Sequence, residues 1–191
     1  FLDEDIPLYL DPFLLWKSPS QQDNALHLLL INSFNKIGIM YLKNENKRDL
    51  IVATFADLSE CSEVGLGSGK TKKGMKISPK TAKEILELFS IVPQYKIGGF
   101  SHFEEIQLYV NNISKDRISD FACNFLKSFL VDFTQDECKK YNIPIKTFES
   151  IKVFNPKTCS IDEEKLSLPY SPEDDKPIIL VPKRWLRHTP W

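Results

Sequence analysis

The chain has 191 residues, of which 42% are hydrophobic and 27% charged. That is long enough and apolar enough for one buried core, and it excludes disorder. Its 25 basic and 26 acidic side chains leave a formal net charge of −1, so no global field draws it to nucleic acid or a membrane, and an anionic partner must meet a local patch.

Four cysteines without a C-x-x-C pair and three histidines give no zinc-site spacing and point to a reduced, cytoplasmic protein. Cys123 and Cys138 sit among apolar residues and read as small buried hydrophobes. The longest apolar run, ALHLLLI, is too short to span a bilayer, so no membrane partner is expected. A single domain is expected over residues 1–191. Opening on Phe1 and closing on RHTPW, it reads as a fragment of a longer chain.

In chain order, Ile6, Leu8 and Leu10 alternate with Pro7 and Tyr9, which predicts a short edge strand. After the polar KSPSQQDN stretch, the spacing of Leu26, Leu29, Leu30, Phe34, Ile37 and Tyr41 predicts a helix over 25–42. Residues 49–59 fit a helix or a strand. Ser78-Pro79 starts a helix with Ala82, Ile85, Leu86 and Phe89 on its apolar face, and YKIGGF ends it. Ser101 with Glu104 reads as a capping box. Ile118, Phe121, Ala122, Phe125, Leu126, Phe129 and Leu130 form the stripe of a long central helix over 115–133, and TQDE at 134–137 reads as a second capping box. IKTFESIKVFNP is strand-like, TCSIDEEKLSLPYSPEDDKP reads as a proline-punctuated loop, and PIILVP as a short buried strand. The fold class expected is α/β (α+β): a small mixed sheet packed against a long central helix and several shorter helices.

The sharpest local feature is ECSEVGLGSGKTKKGMK, Glu60 to Lys76, with three glycines in five residues followed by lysines. A phosphate loop of the form G-x-x-x-x-G-K-[ST] would need glycine where Val64 stands, and a G-x-G-x-x-G fingerprint would need one at position 70. No nucleotide cofactor is expected. What remains is a basic loop in which Gly67 and Gly69 let the backbone approach a phosphate, with Lys72, Lys73 and Lys76 supplying charge. Upstream, Asp57, Glu60 and Glu63 stand three apart and share a face if helical. Acids beside lysines are the groups that metal-dependent phosphodiester cleavage uses. Glu60 and Glu63 are therefore the candidate ligands for Mg²⁺ or Mn²⁺, and Glu60, Glu63 and Lys70 the candidate catalytic residues.

A second polar face combines Glu105 with Asp116, Asp120 and Asn124, the last three at i, i+4 and i+8 of one helix. The [DE]-x-K triplets Glu163-x-Lys165 and Asp174-x-Lys176 fall in the predicted loop, so neither reads as a metal-facing strand pair. His27 reads as structural. Trp185, among Lys183, Arg184 and Arg187, either docks into the core or stacks on single-stranded nucleic acid.

The segments DEDIPLYLDPFLLW, GLGSGKTKKG, SHFEE, DRISDFACNFLKSFL, FTQDECKKYNIP and ILVPKRWLR together resemble a family of uncharacterised bacterial proteins associated with phage-defence and mobile-element gene neighbourhoods. The resemblance implies a bacterial defence component and assigns no catalytic residue. The resulting expectation is a defence-type protein acting on nucleic acid, as a metal-dependent nuclease, with a protein partner in a defence complex. The alternative is a non-catalytic binding or sensor module for a partner protein or a phosphorylated ligand. Both use the 60–76 loop, and a single site requires that segment and the Asp116/Asp120 face to line the same cleft.

Overall fold

The computed structural model describes residues 7–66 and 76–188. Lys70, Lys72, Lys73, Gly67 and Gly69 lie outside the described residues. The elements run β1 (Leu8–Leu10), α1 (Pro12–Trp16), α2 (Gln21–Lys43), α3 (Arg48–Asp57), α4 (Pro79–Ile91), α5 (Pro93–Gly98), α6 (Lys115–Phe125), α7 (Lys127–Tyr141), β2 (Lys146–Asn155), β3 (Ser160–Leu168) and β4 (Leu186–His188). Short 3₁₀ helices cover Glu45–Lys47, Phe103–Leu108 and Lys183–Trp185. The class is α+β. In place of one mixed sheet, the described residues form two antiparallel two-stranded sheets, β1 with β4 and β2 with β3.

The core is built on α2. Ser20 caps it by accepting from the Asp23 N–H, so the polar QQDN stretch is its first turn and not a linker. Phe34 meets Phe55, Phe89, Phe100 and Phe103 at ring-centroid distances of 4.9 to 5.7 Å, and Phe55 stacks on Phe121 at 4.7 Å. Such pairs add to the burial of large rings. At Gly38 an added Cβ would lie 2.3 Å from the Phe89 ring, so only glycine lets α4 come this close. By length and composition α2 could cross a membrane, but half of its most apolar window is buried inside the fold.

Several expectations change. α4 ends at Ile91, because Pro93 opens α5, and YKIG belongs to that helix. Gly99, at φ +70°, ends α5, and Asn35 holds the next residue by donating to the Phe100 carbonyl and accepting its N–H. The long helix over 115–133 is two helices broken at Leu126. TQDE starts nothing: Thr134 is buried mid-helix in α7 and donates back to the Leu130 carbonyl. The expected loop after position 159 is largely β3, whose acids and lysine face solvent, so its polarity hid a strand. PIILVP forms no strand; its N–H groups at Ile178, Ile179 and Leu180 go to the Pro169 carbonyl, the Glu63 carbonyl and the Thr134 hydroxyl. Trp185 is fully buried and packs on Phe129.

Candidate functional site

The turn that follows α3 is held by the polar face of α6. Asn124 donates to the carbonyls of Leu58 and Glu60, both at 2.8 Å. Arg117 donates to the Ser59 carbonyl at 3.1 Å, and the Ser59 hydroxyl accepts the Ile77 N–H at 2.8 Å. Asp120 accepts the Cys61 N–H and faces Arg117 at 3.5 Å. The polar stripe on α6 therefore clamps backbone that would otherwise be buried without partners. Burial raises Asp120 to about 7, opposed by Arg117 and the Cys61 N–H and reinforced by the charges of Glu60 and Asp116.

These contacts place the turn beside a cleft of about 340 Å³. Asp57, Glu60, Glu63 and Lys76 come from the turn and its return, Asn124 and Lys127 from the α6–α7 junction, and Ser150, Lys152 and Phe154 from β2. Period two puts those three β2 residues on one side of the strand. The register slips between Phe148 and Ile151, where Glu149 and Ser150 stand against Lys165 alone. Ser150 sits in that bulge, donates to Glu163, and reaches the cleft; Lys165 pairs with Glu149 at 2.8 Å. So the Glu163-x-Lys165 triplet is on a strand after all, with both side chains engaged away from the acids of the turn.

Lys127 is the most constrained group of the cleft. Its side chain is 3% exposed, and its ammonium donates to both oxygens of Glu63 at 3.1 and 3.2 Å. Burial acts against the charge, while Cys61 and the Glu63 carboxylate act for it, and the lysine stands above its ordinary pKa. Lys76 pairs with Asp57 at 2.7 Å. The sulfurs of Cys61 and Cys123 are buried, which pushes both thiols far above the nucleophilic range.

Of the sequence candidates, Glu60, Glu63, Lys76 and Asn124 line one cleft; Asp120 and Asp116 are not among its lining residues, and Asp120 instead holds the backbone of the turn at Cys61. Glu105 does not join them. It accepts from the N–H groups of Ser101 and His102 and from the Tyr95 hydroxyl, and so caps the 3₁₀ turn in the role expected of Glu104. Both Glu63 oxygens accept from Lys127, so this carboxylate is engaged as the counter-ion of that lysine. Among the described residues no group of three His, Cys, Asp or Glu side chains is placed to hold a metal ion.

Sequence reasoning missed Lys127, and set Lys152 aside because its spacing from Glu149 puts the two on opposite faces of a strand. Lys127 stands inside the apolar run FLKSFL, and the one available signal was that a cation in a core stripe needs a buried acid.

Fold and cleft together define an α+β domain with a polar pocket of interleaved lysines and carboxylates. The chain belongs to the family described as a domain of unknown function, DUF8370, which it matches over residues 1–191. No curated protein and no solved structure matches it.

Proposed function

We propose that this chain is a recognition module that binds the phosphate backbone of nucleic acid in the cleft between the 57–63 turn, the α6–α7 junction and β2, and that it serves a bacterial, cytoplasmic defence complex. One observation carries the reading: three lysines from three separate elements, Lys76, Lys127 and Lys152, line a single cleft. The acids there hold lysines in place: Asp57 meets Lys76 and Glu63 meets Lys127. Lys152, exposed on β2, has no such partner among the ion pairs of the described residues and is the group best placed to meet a phosphate oxygen. The lysines of the neighbouring segment, Lys70, Lys72 and Lys73, add positive charge close by in sequence. The resemblance to defence-associated bacterial proteins points to nucleic acid as the ligand class.

Fluorescence polarisation with labelled single-stranded DNA, duplex DNA and RNA tests this, run with Mg²⁺, with Mn²⁺ and with EDTA, and with the products resolved on a gel. Binding that survives EDTA, with intact substrate, is expected. Metal-dependent cleavage lost in Glu60→Ala would establish the nuclease reading in its place. Absence of binding to all three at low salt would overturn both, and competition by inorganic phosphate alone would point to a small phosphorylated ligand.

A further inference from the structure

A second cavity, of about 460 Å³, opens on the other side of α6. Its walls come from β1 and α1 (Tyr9 to Phe13), the 3₁₀ turn of Phe103–Leu108, the start of α6 and Arg187 of β4. Most of its polar groups are engaged. Asp11 accepts the Phe13 N–H at 3.0 Å and pairs with Arg187 at 2.7 Å. Glu105 caps its turn, Gln107 donates to the Ile113 carbonyl at 2.8 Å, and the Lys115 ammonium lies 5.3 Å from the centre of the Tyr9 ring.

Glu104 differs. Both of its carboxylate oxygens are buried and neither makes a hydrogen bond of ordinary geometry; only the backbone N–H groups of Phe13 and of Glu104 itself act on the carboxylate, and no ion pair of the described residues includes it. A buried carboxylate without donors is costly and is relieved by protonation or by donors from outside the chain. Burial raises its pKa and the charge of Asp11 adds to the rise, opposed by the N–H groups of Glu104 and Phe13 and by His102. Among the described residues the component that is not supplied is a charged donor at hydrogen-bond distance. Tyr9, Pro12, Phe13, Leu108 and Ile118 provide an apolar wall, and the volume lies in the range of small-molecule sites.

We infer that this cavity binds a small organic cation, an ammonium or guanidinium group on a short apolar stem, with the N–H donors on the Glu104 carboxylate and the stem against Tyr9, Phe13 and Ile118. A guanidinium matches the two oxygens of a carboxylate through parallel hydrogen bonds. The site is separate from the lysine cleft, so the failure of either leaves the other standing.

The test is a titration of the isotope-labelled protein with butylguanidine and butylamine, with butylurea as the uncharged control, followed by amide NMR shifts. Saturable shifts at the N–H groups of Phe13, Gln107 and Ile118 are expected for the two cations at roughly millimolar concentration or below, with the urea at least about tenfold weaker. Glu104→Gln should weaken the cations roughly tenfold or more and leave the urea unchanged. Shifts confined to other surfaces, equal binding of the urea, or no shift in the wild-type protein would each overturn the inference, and none of these readings depends on the variant folding.

Discussion

The two cavities flank the same helix, yet they treat a half-buried glutamate in opposite ways. On the β2 side Glu63 meets a nearly buried ammonium, and each charge satisfies the other. On the β1 side Glu104 has no cation paired with it and meets only the backbone N–H groups of Phe13 and of its own residue, neither at hydrogen-bond geometry. The comparison teaches that an acid near a pocket is not by itself a site. What matters is whether the fold has already supplied its partner, because an acid with a built-in counter-ion holds a neighbour in place, whereas one without can only protonate or take a ligand.

The comparison breaks first at Glu63. Replacing it with Gln leaves the Lys127 ammonium buried without a counter-charge, and chemical denaturation should show a loss of roughly 3–5 kcal/mol. A loss below about 1 kcal/mol would mean that the pair is no stronger than an exposed one such as Lys76 with Asp57.

Asp120 lies between the two extremes, with one cation and one backbone donor. Its folded pKa of about 7 stands above the ordinary aspartate value of 3.8, so the folded state holds the proton more tightly than the unfolded chain. This contribution to stability is complete below about pH 4 and is lost as pH rises through about 7, by roughly 4 kcal/mol over the window. Unfolding free energies measured across that range should carry this fall in the wild type, and Asp120→Asn should flatten it. An unchanged slope in the variant would place the titration elsewhere.

The smallest effect has the opposite sign. Glu104→Gln removes a carboxylate that has no paired cation and should stabilise the protein by roughly 1 kcal/mol at about pH 8, with the gain shrinking as the wild-type carboxyl protonates at lower pH. Thermal melts of the wild type and the variant at the two ends of that range would show it. The same Glu-to-Gln exchange thus costs stability in one cavity and adds it in the other.

How much of this was legible in the sequence depends on what each residue's partner is. The periodicity of Leu26, Phe34 and Tyr41 announced α2, and the Ser78-Pro79 pair marked the start of α4, because both signals are local. Whether the 60–76 segment and the Asp116/Asp120 face share a cleft was left open by the sequence; among the described residues Glu60, Glu63, Lys76 and Asn124 line one. What the sequence withheld was direction: Asn124 and Asp120 turn out to hold backbone groups of the turn, as N–H donor and acceptor. β3 was hidden because its charged residues lie on exposed positions of a two-stranded sheet that lacks a second covering layer. The roles of Glu104 and Glu105 were exchanged by one residue, since the turn is capped from His102 and not from Ser101.

The central claim is that the lysine cleft meets phosphate, and it is tested most directly by the salt dependence of single-stranded oligonucleotide binding for the wild type and for Lys152→Ala. The wild type should lose affinity linearly in log Kd against log salt, and the variant should bind more weakly, with a slope shallower by roughly one phosphate contact. Binding that ignores salt, or a Lys152→Ala slope identical to that of the wild type, would contradict the account.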